Sequence, residues 1–132
     1  MEWWRVRRVL NAVNGSTLLG VAVAAAGRAR LRRGPRGLLL AEGYRLPLPR
    51  VAAFSVGDVV VTRHSPDWLA ARPRLLRHEE RHATQYAACL GLPMLPLYAL
   101  AAGWSWLRGG DPGTHNAFEV LAGLEDGGYV PA

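Results

Sequence analysis

Residues 75–86, LLRHEERHATQY, organise everything around them. Pro73 ahead of this stretch suits the first turn of a helix. Gly91 suits a helix-ending position and Pro93 lies just beyond, so the spacing predicts a helix with its body over 75–90. On that helix His78 and His82 are four apart, so both imidazoles share one face and can grip one metal ion. Glu79 neighbours the first of them. Its carboxylate can reach a metal-bound water rather than the ion, take the water's proton and later hand it to a leaving group. Zinc is the expected ion because it brings the pKa of bound water toward neutrality. The competing explanation is a charged helix face holding two of the chain's four histidines by chance. The mid-helix position and the apolar Leu75–Leu76 pair, which would seat the helix on a core, weigh against it.

A catalytic zinc needs a third protein ligand and an open position. The downstream candidates are His115, Glu119, Glu125 and Asp126. Glu119 is the expected ligand, an acid on a helix that otherwise reads apolar from Ala117 to Ala122. A first-turn carboxylate favoured by the helix dipole is the plain alternative. His115 lies one turn before Glu119 and would serve as a ligand in its place or as a catalytic hydrogen-bond donor.

With these residues placed, segments 75–86 and 116–122 (NAFEVLA) resemble the Glu-zincin metallopeptidases, in which a second helix supplies a Glu in a Glu-x-x-Ala-like setting. The strand-like AFSVGDVVV at 53–61, followed by Leu75–Leu76 and the His-Glu-x-x-His-x-x-Gln of His78 to Gln85, more closely resembles small bacterial zincin-like domains of unassigned function. The resemblance covers roughly 51–124 and implies zinc on His78, His82 and Glu119, Glu79 as general base, a peptide or protein substrate, and Val59–Thr62 as the sheet edge lining the cleft. The chain departs from the family where Glu80 and Arg81 put two charges inside the motif, and where Gly123 replaces the acid that often follows Glu-x-x-Ala. These departures bear on peptide hydrolysis more than on metal binding. The alternative is a zincin-like fold without catalysis, a metal-binding or interaction module.

The chain of 132 residues suits one domain with one core. Cys89 is the only cysteine, which suits a reducing compartment and a cytoplasmic location. Net charge is +6 and all sixteen basic residues are arginine, a pattern that matches coding bias in a GC-rich bacterial genome. The arginine clusters therefore point to a solvated charge run before they point to nucleic acid, and no nucleic-acid reader motif accompanies them.

Residues 1–37 form an Arg-rich helical segment, expected either to pack on a zincin-like unit of residues 38–132 or to associate with a membrane. Residues 3–27 read as helices broken near Asn14-Gly15-Ser16, and 28–37 as a basic turn region. Tyr44–Leu48 alternates but carries prolines, an edge strand at best. Val51–Val56 and Val59–Thr62 are β-branched runs joined by Gly57-Asp58, a hairpin signal. A further helix is expected over 95–107 and a last one from about 114–116 to 124. The class is α+β, a small antiparallel sheet followed by an active-site helix and a C-terminal ligand helix. Residues 83–107 carry no charge, and Trp3, Trp4, Trp104 and Trp106 sit at the ends of the two uncharged stretches, where membrane interfaces favour tryptophan. Buried helices are the first expectation for both stretches, and interfacial or spanning segments the second.

Overall fold

The uncharged N-terminal stretch folds as two helices meeting at a corner: α1 (Trp3–Val13) and α2 (Ser16–Ala26), bent by 73° across Asn14 and Gly15. The structure, a computed structural model, describes residues 2–49, 51–65 and 67–127. After α2 come β1 (Arg30–Arg33), a 3-10 turn (Pro35–Gly37), β2 (Leu39–Glu42), β3 (Ala53–Val56) and β4 (Val59–Thr62). Three helices follow: α3 (Pro73–Ala88), α4 (Met94–Gly109) and α5 (Ala117–Ala122). The α+β class holds.

The sheet order is β1-β2-β4-β3, with antiparallel outer pairs and a parallel β2–β4 pair at the centre. It is thus mixed rather than wholly antiparallel. The expected hairpin forms, with Val56 opposite Val59 across the Gly57–Asp58 turn. Gly57 has φ +62°, and a Cβ there would lie 2.4 Å from the Thr17 backbone nitrogen, so conformation and space both demand glycine.

One strand assignment is corrected. Val59–Thr62 is not the edge of the sheet, because β2 pairs with its other side; the edge beside the motif helix is β3. The reason is burial on both faces. Val59 and Val61 pack with Ala24 of α2 and with Tyr44, whereas Val60 packs with Leu38, Leu40, Leu76 and Ala83 on the α3 side. All three valines are fully buried, each worth about 1.5–3 kcal/mol relative to exposure. A strand apolar on both faces belongs inside a sheet.

The basic turn region is also corrected. Arg30–Arg33 is a strand, exposed at all four positions, that closes the other edge of the sheet against β2. Pairing demand from β2 overrides the polar composition, and the exposed arginines guard that edge against further strand addition. Tyr44–Leu48 forms no strand.

The N-terminal helices pack on the rest of the molecule, and Arg7 fastens them. Its side chain is 1% exposed. Nε donates to Asp58 Oδ1 at 3.1 Å, Nη1 to Glu80 Oε2 at 2.8 Å and Nη2 to the Arg36 carbonyl at 2.8 Å. Asn11, one turn on, donates to Asp58 Oδ1 at 2.8 Å and to the Ala83 carbonyl at 2.9 Å. One helix face thereby ties α1 to the hairpin turn, the 3-10 turn and α3.

Removing one partner of a buried ion pair strands the others, so Arg7→Ala should cost about 3–5 kcal/mol in urea unfolding. Glu80 supplies a second, pH-dependent prediction. Burial alone would raise its carboxyl pKa, but Arg36 and Arg7 outweigh burial and hold it below the usual range. The unfolded chain then binds more protons in acid. The stability from Glu80 is complete above the ordinary carboxylate pKa and drains as pH falls through the lower folded value. The Tm gap between wild type and Glu80→Gln should be widest near about pH 7 and close toward about pH 3; a gap that widens in acid would reverse the assignment.

Candidate metal centre

Two helices build the site. His78 and His82 lie one turn apart on α3, and both are buried. Glu119 comes from α5, whose start is fixed by Asn116: this buried side chain accepts the Phe118 N–H at 2.9 Å and so caps the helix. Glu119 Oε1 lies 2.8 Å from Nε2 of each histidine, and the two Nε2 atoms are 3.1 Å apart.

The outer hydrogen bonds decide what these three atoms are. His78 Nδ1 lies 2.8 Å from the Gly123 carbonyl, which can only accept, so Nδ1 carries a proton. His82 Nδ1 lies 2.8 Å from Gln85 Oε1, and the Gln85 amide nitrogen donates to the Phe118 carbonyl at 2.8 Å, which fixes which end of the amide faces the ring. With a proton on each Nδ1, an Nε2 meets the carboxylate oxygen either as a lone pair or, when it too carries a proton, as a donor. As lone pairs the three atoms would repel one another, and either a metal ion or protons on Nε2 can hold them together. Their donor atoms all fall within 4.8 Å, and the group can hold a metal ion.

The electrostatics show how strongly the carboxylate and the rings favour opposite charge. Burial disfavours ionised Glu119, but hydrogen bonds from His78 and His82 outweigh it and hold the carboxyl well below its usual range. Burial favours a neutral His82 ring, and the Glu119 carboxylate overrides this and raises its pKa. Glu79 behaves in the opposite way. It is buried, and desolvation raises its pKa despite His82 and the Ser55 hydroxyl.

Glu79 faces a cavity of about 790 Å³. Its walls include β3, Trp68, Leu75 and Tyr98, together with His78, His82 and Glu119 themselves. Ser55, on the sheet face that looks toward α3, donates from Oγ to Glu79 Oε2 at 2.7 Å. The edge strand thus holds the Glu79 carboxylate.

Glu119 joins His78 and His82, and the other expected candidates do not. Asp126 is 2.7 Å from Arg74 Nε and 3.0 Å from Arg81 Nη1. Glu125 and Asp126 line the cavity without entering the three-residue group. His115 is not brought to the group: its backbone N–H donates to Ser105 Oγ at 2.8 Å and its ring lies against Gly109.

Two supporting residues, Tyr98 and Ser55, escape a motif search, while a third, Gln85, closes the His-Glu-x-x-His-x-x-Gln spacing. Tyr98 donates from its hydroxyl to Glu119 Oε2. Ser55 holds Glu79, and Gln85 orients His82. Gln85 carries a signal in its spacing, three residues after His82 on one helix. Tyr98 is a phenol within a nearly uncharged apolar helix, and Ser55 breaks an otherwise apolar strand.

The charges inside the motif also find their places. Glu80 faces away from the cavity to Arg7 and Arg36. Arg81 donates to the Ala122 carbonyl at 2.7 Å and so clamps α5 to α3. Gly123 leaves room for that contact, since a Cβ there would lie 2.7 Å from Arg81 Nη1.

Because outer-shell partners set ligand orientation, Tyr98→Phe and Gln85→Leu should each weaken divalent-metal binding by about 10–100-fold. Competition titration against a chromogenic chelator measures this, with Thr84→Ser as a control expected to match wild type.

No protein-family model, no curated protein and no solved structure matches the chain.

Proposed function

We propose that the protein is a zinc-dependent, peptidase-like hydrolase of zincin type. The observation that carries this is the meeting of His78, His82 and Glu119 beside a second buried carboxylate, Glu79, on the wall of one cavity. Two imidazoles and a carboxylate are the donor set of catalytic zinc sites that keep one position open.

A zinc ion held there would lower the pKa of a water toward neutrality and polarise a carbonyl. The chain's own groups supply the rest. Glu79 accepts a proton as water oxygen bonds to the amide carbon, and returns it to the departing nitrogen as the C–N bond breaks. Its raised proton affinity suits a group that must both take and give. Ser55 fixes the carboxylate, and Tyr98 and Gln85 hold the ligands. Among the described residues no strand pairs with the outer side of β3, which leaves that edge open to an extended peptide beside Glu79 and favours a peptide among acyl substrates.

Purified protein should carry about one zinc per chain by elemental analysis, and His82→Ala should lose it. Iron also accepts two histidines and a carboxylate, so the same measurement tests the metal's identity. Glu79→Gln should retain the metal and lose cleavage of a broad peptide library. Cleavage unchanged in Glu79→Gln would sink the catalytic assignment and leave a metal-binding module.

A further inference from the structure

We propose that the outer face of α4, with the corner between α1 and α2, docks on the surface of an anionic lipid bilayer. This rests on the molecular surface alone and not on the hydrolase assignment. Only Met94 and Ser105 of α4 are buried. From Leu95 to Leu107 every exposed residue of the helix is apolar, and Leu100, Trp104, Trp106 and Leu107 are each more than half exposed. Contiguous apolar surface of this kind marks an interaction site.

The face continues past α4. A Cβ on Gly91, between α3 and α4, would lie 2.5 Å from the Asn14 side chain, so that turn abuts the α1–α2 corner. Val13, Leu18, Leu90 and Leu92 are exposed around this junction.

Charge selects the occupant. Residues 3–41 and 81–110 contain no acidic residue. The exposed charges on the three helices are Arg5, which lies 3.8 Å from Glu2 at the start of α1, and Arg8 and Arg108, all cationic. A second copy would bring cations to cations, whereas anionic headgroups supply counter-charge to Arg8 and Arg108. The Arg108 guanidinium lies 5.5 Å from the Trp104 ring centroid, which places an aromatic ring and a cation together at one end of the helix, as at a headgroup boundary.

Length sets the pose. The 16 residues of α4 span about 24 Å, less than the roughly 30 Å of a hydrocarbon core. Among the described residues no single helix is long and apolar enough to cross, although α1 and α2 pass that test as a bent pair. The helix therefore lies along the interface, with the protein body forming its polar side. Leu95 belongs both to this exposed face and to the cavity wall, so docking sets the cavity beside the bilayer.

The full chain should sediment with phosphatidylcholine vesicles containing about 30% phosphatidylglycerol, and more weakly with phosphatidylcholine alone or at high salt. The double substitution Leu100→Glu/Leu107→Glu should lower partition by roughly tenfold or more, with circular dichroism unchanged because both side chains are exposed. Val13→Glu/Leu18→Glu, on the other helices, should also lower it. Brominated lipid should quench wild-type fluorescence, and Trp104→Phe/Trp106→Phe should lose that quenching. Wild type left in the supernatant, or partition unaffected by both glutamate pairs, overturns the proposal. A dimer by light scattering that Leu100→Glu/Leu107→Glu dissociates, without vesicle binding, overturns it in favour of self-association.

Discussion

A buried guanidinium needs acceptors on several sides, and the three that Arg7 finds join most of this fold. Its partners lie on β4's turn, on the 3-10 turn and on α3, at sequence separations of 51, 29 and 73 residues. Arginine suits the task because its planar fork donates in three directions at once. Asp58 accepts from both Arg7 and Asn11, and Glu80 from both Arg7 and Arg36. The network therefore fixes the back of α3 while the opposite side of that helix faces the cavity. Rigidity behind a ligand helix lets its imidazoles hold one position.

The same logic accounts for the two charges between Glu79 and His82. They sit on different sides of α3 and serve different neighbours. Glu80 binds backward to the N-terminal helix, and Arg81 binds sideways to the end of α5. The Gly123 carbonyl, one residue beyond the Arg81 contact, orients His78. The charges that set this motif apart from an uncharged one are thus ways of fastening its two ligand helices, and neither enters the three-donor group.

What could be read from the chain divides along local and distant causes. The α3 helix, the break at Asn14-Gly15, the Gly57–Asp58 hairpin and Glu119 each announce themselves within a few residues, through periodicity, turn chemistry or an acid in an apolar run. The inner position of β4 depends on a parallel pairing with β2, two short strands with no turn between them to signal it. The β1 strand exists because β2 has a second edge to satisfy, and four residues of Arg-Leu-Arg-Arg carry little strand preference of their own. Arg7 was hidden among its neighbours. Composition cannot separate it from Arg5 and Arg8, but its spacing from Asn11 places two polar groups on one face of α1, and that stripe is the mark of its burial. Tyr98 acts on Glu119 from a helix whose apolar texture suggested only packing or a membrane.

The two ligand helices are also separated in time. Glu119 follows His82 by 37 residues, with all of α4 between them. At about 5–20 residues per second, a growing chain offers its two imidazoles roughly 2–7 s before the carboxylate is made. In that interval an ion would meet a pair of histidines on a nascent helix, ranked mainly by the intrinsic affinity order that favours copper over other divalent metals. Discrimination would begin only when α5 is clamped by Arg81 and Glu119 closes the set. For a site of this kind, metal choice would be a property of the finished tertiary structure and of the compartment in which folding completes, and the isolated α3 segment would not reproduce it.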